Sequence, residues 1–258
     1  MYHSYLRLLT GICYYMLPIG FLYYVLLFSL AFSAHAQQLR TTTYSNGTGF
    51  YVTKDGYIVT NAHVVRECKS NIAISGIAPG EAQIVARDDD VDLALLKARD
   101  YAPAIGYLRI NEGELKAGDD LIVMGYAGEQ GASGHYSFVK SKLIDTHGPQ
   151  GQSHWLQFSN AAQKGNSGGP LLDTSGHVIG VISGKTQLFR VDDRSNVAPV
   201  KVSESDVAIT LDALKYFLDA ERIRYQTASS GLLQFSDNRL ESDAHNFIVQ
   251  LKCITAQN

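Results

Sequence analysis

Gly165-Asn166-Ser167-Gly168-Gly169-Pro170-Leu171 is the stretch on which the fold turns. Glycines on both sides of a serine permit positive φ, and they let the N–H groups of Gly165 and Ser167 converge on one spot beside the hydroxyl. Asn166 between them sets the backbone geometry. A serine elbow of this kind can lead into a helix or into a hairpin. Here Pro170 follows within three residues, and Ser175-Gly176 then separates two apolar runs, as a tight hairpin requires. The stretch predicts a serine at the head of a β-hairpin.

Outward from it, short apolar or alternating runs predict strands at 49–53, 57–60, 72–75, 82–87, 93–97, 121–125, 135–143, 154–158, 171–173, 177–183 and 207–209. Asp55-Gly56 marks a second hairpin turn. So many short strands make an all-β sandwich or pair of barrels. The polar turn Lys116-Ala117-Gly118-Asp119-Asp120 divides two halves of similar size, about 41–115 and 116–210. One helix stands out over 210–222, with a Thr210 cap, Asp212 in its first turn and an apolar face of Leu211, Leu214, Phe217 and Leu218. The segment 227–258 is an extension, with a linker at 227–230 and an alternating last strand at 247–254.

The first 36 residues carry one basic residue, Arg7, no Asp or Glu, and an apolar run from Leu8 to Phe32. Ala34-His35-Ala36 is the small-x-small pattern that a signal peptidase accepts, so cleavage before Gln37 is expected. The run also reaches the roughly 20 residues that span a bilayer, so retention as an N-terminal membrane anchor is the alternative. Either way the domain is exported, periplasmic or secreted. The 258 residues have a formal charge of −3; removing the leader takes away Arg7 alone and gives −4. No basic patch dominates, which argues against nucleic acid as a partner. Cys68 and Cys253 remain beyond the leader, either joined in one disulfide or as two free thiols.

Two further residues bear on chemistry. His63 follows the strand at 57–60, where a short helical turn would begin. Asp92 opens the apolar run Leu93-Ala94-Leu95-Leu96, and a carboxylate entering a buried strand needs a partner such as an imidazole N–H. The acidic loop Asp88-Asp89-Asp90 competes for that role. His63, Asp92 and Ser167 stand in the chain order His, Asp, Ser.

Four ordered blocks now carry a resemblance: Gly47-Thr48-Gly49-Phe50, the run from Asp55 to Val65, the run from Asp92 to Lys97, and the run from Gly165 to Leu171. Together they resemble HtrA/Deg-type trypsin-like serine proteases over roughly residues 45–220. The resemblance implies a trypsin-like double β-barrel of two six-stranded antiparallel barrels, spanning 37–226 with the helix. It implies Ser167 as nucleophile, His63 as general base, Asp92 as the group that orients the imidazole, and an oxyanion hole at Gly165, Asn166 and Ser167. It puts Ala161 at the floor of a substrate pocket and Val181, Ile182 and Ser183 along its wall. Without an acid at that floor, small or medium aliphatic side chains are expected there. The implied partners are polypeptides, exported or misfolded, and the chemistry calls for no metal or organic cofactor. HtrA proteins continue into PDZ domains, whereas fewer than 40 residues follow the helix here, so the resemblance is to the protease domain alone. A stand-alone exported protease nearer in layout to glutamyl endopeptidases fits equally well.

Two other readings compete. The serine elbow also suits an α/β-hydrolase esterase with Asp219 and His245, in the order Ser, Asp, His. An exported chaperone or binding module could keep the protease fold without catalysis.

Overall fold

The computed structural model describes residues 42–68, 71–110, 115–159, 161–190, 200–230 and 235–256, and the expected leader lies outside them. The first half opens with β1 (Thr42–Tyr51) and β2 (Tyr57–Thr60), a one-turn helix α1 (Ala62–Val65), then β3 (Ile72–Gly76), β4 (Gly80–Asp88) and β5 (Leu93–Ala98). After the short β6 (Leu108–Arg109) come β7 (Asp120–Gly125), α2 (Gly128–Ala132), β8 (Ser137–Asp145) and β9 (Trp155–Phe158). The hairpin strand β10 (Pro170–Asp173) precedes two long strands, β11 (Val178–Arg190) and β12 (Val200–Thr210). The chain then forms α3 (Leu211–Ala220), β13 (Thr227–Ala228), α4 (Asp237–His245) and β14 (Ile248–Ala256).

Two closed six-stranded barrels result, as expected. The first runs β1-β14-β3-β4-β5-β2, and β1 pairs with both of its ends. The second runs β7-β8-β9-β12-β11-β10 and closes where β10 pairs β7, with β6 and β13 added in parallel beside β11. Closure leaves neither barrel an open edge. Ser167 leads into β10 rather than into a helix, so the fold rejects the α/β-hydrolase reading. Asp219 lies in α3 and His245 in α4.

The first barrel is not confined to residues 41–115. Its sixth strand is β14, antiparallel to β1 along the whole of 42–50 and to β3 on its other edge. The segment read as an extension is therefore a structural stave of the first barrel. Ile248, Val249 and Leu251 lose essentially all contact with solvent there, and burial of each such side chain contributes about 1.5–3 kcal/mol. A disulfide between Cys68 and Cys253 fastens β14 to the loop after α1. The expected linker at 227–230 contains β13, and α4 had no counterpart in the sequence reading because only Leu240 and Ala244 of its residues are buried.

In α3, the Thr210 side chain accepts a hydrogen bond from Ala213 N–H, and Leu211, Leu214, Phe217 and Leu218 are buried, the face that its periodicity predicts.

Candidate active site

His63 sits in the single turn of α1 at the end of β2, and Asp92 stands just before β5, which pairs with β2. This pairing brings residues 29 apart in sequence side by side. The ring Nδ1 of His63 lies 2.8 Å from Oδ2 and 3.0 Å from Oδ1 of Asp92, and the His63 backbone N–H donates to Oδ1 at 3.0 Å. Asp92 has φ of 61°, a left-handed conformation uncommon outside glycine. Its carbonyl is held there by Ala62 N–H at 3.1 Å and by the Asn61 amide at 3.0 Å. The neighbouring acids are occupied otherwise: Asp88 caps the turn through Asp90 and Val91 N–H, and Asp89 pairs with Arg66 and Arg87.

Burial works against charge on Asp92. Hydrogen bonds from the ring and backbone of His63, and from the Ser183 hydroxyl at 2.8 Å, outweigh it and hold the carboxyl below the ordinary carboxylate range.

The Ser167 hydroxyl donates to the Ser183 carbonyl at 3.0 Å, and among the described residues it makes no hydrogen bond to His63. Ser183 thus joins the two ends of the site, its carbonyl holding Ser167 and its hydroxyl holding Asp92. It can face both because β11 bulges there, with Ile182 opposite Ala208 and Gly184 opposite Val207, so Ser183 has no partner in β12. The sequence reading had placed Ser183 only on a pocket wall.

In the serine loop, Asn166 N–H donates to Gln163 O, Gly168 N–H to Ile182 O and Gly169 N–H to Asn166 O. Among the described residues the N–H groups of Gly165 and Ser167 donate to no protein acceptor. Asn166, included in the expected oxyanion hole, turns its N–H inward; its side-chain carbonyl also accepts from Gln163 N–H at 2.8 Å, which closes the turn. Gly168 has φ of 84°, and a Cβ there would sit 2.1 Å from Thr60 Oγ1.

Thr48 of β1 escaped the sequence reading although its block was recognised. Its hydroxyl donates to Gly165 O at 2.7 Å, and its N–H donates to Ser167 O at 2.9 Å.

Of the expected pocket residues, Val181 and Ile182 are buried in the hydrophobic core, at 0% and 1% exposure. Ala161 is half-buried. Asp206 of β12 accepts hydrogen bonds from both Ala161 and Ala162 N–H, at 2.6 Å each. Strand pairing across 45 positions creates that contact, beyond the reach of any local pattern.

Comparison with known proteins agrees with this architecture. Residues 47–181, just over half of the chain, match the family model of the trypsin-like peptidase domain. An uncharacterized protein, y4bJ, of Sinorhizobium fredii is 37% identical over 55% of this chain and 22% of its own length. A probable periplasmic serine endoprotease DegP-like of Rhizobium meliloti is 30% identical over 53% of this chain and 27% of its own, and a namesake in Chlamydia trachomatis 36% identical over 52% and 27%. The chain spans about a quarter of the length of these curated relatives. Among solved structures, the active form of the Rv3671c protease from M. tuberculosis superposes with a TM-score of 0.50 at 28% identity, covering 72% of this chain and 76% of that one. The chain belongs to the trypsin-like peptidase domain family.

Proposed function

We propose that the protein is an exported serine endopeptidase that cleaves polypeptides through an acyl-enzyme. The observation that carries this reading is the clamp on His63. Both carboxylate oxygens of Asp92 lie within 3.0 Å of Nδ1, which leaves Nε2 as the ring nitrogen that accepts a proton.

In this mechanism the Ser167 hydroxyl turns about its Cα–Cβ bond from the Ser183 carbonyl to the imidazole. Catalytic hydrogen bonds commonly tighten only when substrate binds. Nε2 takes the hydroxyl proton as Oγ attacks the peptide carbonyl, and Asp92 stabilises the imidazolium. The N–H groups of Gly165 and Ser167 hold the resulting oxyanion, each such donor being worth about 3 kcal/mol of barrier. Collapse breaks the C–N bond, and the imidazolium gives its proton to the leaving amine. Water then loses a proton to Nε2 and attacks the ester, which releases the acid and restores Ser167.

Two features support export. The two DegP-like relatives are named probable periplasmic proteases, and the Cys68–Cys253 disulfide suits an oxidising compartment. Exported or misfolded chains are the substrates this reading assigns, and the N-terminal segment serves as a signal peptide or, failing cleavage, as an anchor.

A fluorophosphonate probe tests the assignment, because it esterifies only an activated serine. Labelling of wild type that disappears in both Ser167→Ala and His63→Ala is expected. A wild-type protein that folds but takes no label would make the chain a non-catalytic binding module.

A further inference from the structure

Gln250 of β14 stands directly opposite Thr48 of β1 in the first barrel, and both residues are buried, at 1% and 0% exposure. Opposed residues of an antiparallel pair share one face of the sheet. Both reach across to the second barrel: Thr48 holds Gly165 O, and Gln250 Nε2 donates to Gly131 O of α2 at 2.5 Å. Gly131 O also accepts from Gly134 N–H within its own turn, whereas the bond from Gln250 ties that turn to another element. The turn is in turn fastened to the serine loop, because Gly128 N–H donates to Lys164 O at 2.8 Å. Lys164 O belongs to the same trans peptide as the Gly165 N–H, which therefore points away from Gly128. Space around this relay is tight. A Cβ at Gly131 would sit 2.2 Å from Tyr126 O, and one at Gly165 2.3 Å from the same oxygen. The two glycines pack on one carbonyl, so a shift of α2 is passed to the serine loop.

Stability alone does not account for an amide at position 250. Its Oε1 has no partner among the described residues, and a buried, unpaired oxygen is unfavourable where an apolar side chain would carry no such cost. We propose that Gln250 is a positioning residue for catalysis, which fixes α2 from the last strand of the first barrel and, through Gly128, orients the peptide whose N–H receives the oxyanion. The proposal rests on the serine-protease reading. The two peptides that flank Gly165 are then set from opposed residues of one strand pair: Gly165–Asn166 by Thr48 directly, and Lys164–Gly165 by Gln250 through α2. Gln250 lies beyond residues 47–181, so this support comes from outside the segment that matches the family model. It touches no reacting atom, and the charge it helps to hold develops only in the transition state. Its loss therefore acts on kcat rather than on peptide binding.

The test uses Gln250→Met, which keeps the length of the side chain and removes the donor. Its kcat and KM are measured on a fluorogenic peptide that wild type cleaves, beside inhibition by the aldehyde of the same peptide, whose hemiacetal oxygen occupies the oxyanion position. Fluorophosphonate labelling of Ser167 in wild type runs in parallel. In Gln250→Met, kcat is expected to fall about tenfold and the aldehyde to bind about tenfold more weakly, with KM within about twofold of wild type. Should that variant fail to fold, Gly128→Ala reaches the relay from its exposed end. At φ of 58° an added Cβ strains the turn and meets Gln163 Oε1 at 3.1 Å, and the same paired losses are expected. Wild-type aldehyde affinity in a folded variant, whatever happens to KM, overturns this proposal and leaves the protease reading standing. An unlabelled wild type overturns both.

Discussion

Thr48 and Gly165 meet across the two barrels: the Thr48 hydroxyl donates to the Gly165 carbonyl at 2.7 Å while it accepts from Tyr126 N–H at 2.9 Å. The Gly165 carbonyl shares a trans peptide with the N–H of Asn166, which points the other way and donates to Gln163 O. A first-barrel side chain therefore fixes the orientation of the Gly165–Asn166 peptide in the serine loop of the second.

Thr48→Val keeps the volume and removes the hydroxyl, which leaves a buried carbonyl and a buried N–H unpaired. Each such orphan costs about 1–3 kcal/mol, so urea unfolding should show a loss of about 2–5 kcal/mol. Turnover of any cleaved peptide should drop with it. An unchanged unfolding midpoint would show that Thr48 is not the clamp described.

Asp92→Asn removes the charge that faces the imidazole and admits the wrong tautomer. In enzymes of this mechanism such a change lowers kcat about 10⁴-fold. Ser183→Ala should be far milder, at about tenfold, because it deletes one hydrogen bond to Asp92 and keeps the backbone carbonyl that holds Ser167. Equal losses in the two variants would assign Ser183 a larger part than its geometry gives it.

Because the Asp92 carboxyl is held below its ordinary range, the unfolded chain binds the proton more tightly than the folded one. Its contribution to stability is then fully present above the unfolded value of about 3.9 and is lost as pH falls through the depressed folded value. Unfolding midpoints measured from pH 2 to 6 should therefore fall less steeply at the acid end for Asp92→Asn than for wild type. Parallel curves would show that the residue gains no net stabilisation from His63.

The Cys68–Cys253 bond closes a loop between residues 185 apart. Long loops lose the most unfolded-state entropy on cross-linking, and removing the bond should cost about 3–5 kcal/mol. Cys68→Ser together with Cys253→Ser, compared with reduced wild type, should both unfold at lower urea than the oxidised protein. If neither moves, β14 is held by its strand pairing alone.

Much of the site was legible because its chemistry is local. The glycines around Ser167 and the histidine at the end of β2 announce themselves within a few residues, and Asp92 stands out as the acid that opens an apolar strand, with the loop Asp88-Asp89-Asp90 as its competitor until the tertiary structure engages those acids elsewhere. The contacts of Ser183, Thr48 and Asp206 were not legible. Ser183 acts through a bulge, Thr48 acts across barrels, and Asp206 reaches Ala161 only because β12 and the serine loop pack together. Val181 and Ile182, which the resemblance puts along a pocket wall, are buried in the core beside the bulge at Ser183.

The order of apolar runs and turns in this chain determined by itself that it would be all-β with a serine at a hairpin, because side-chain alternation and turn chemistry operate over a few neighbouring residues. Tertiary structure alone decided that the last strand would close the first barrel, that Cys253 would reach Cys68, and that a buried acid would lie against Ala161. Those outcomes depend on which distant surfaces bury one another, a choice that is settled by the free energy of the whole packed core and is written in no local stretch of sequence.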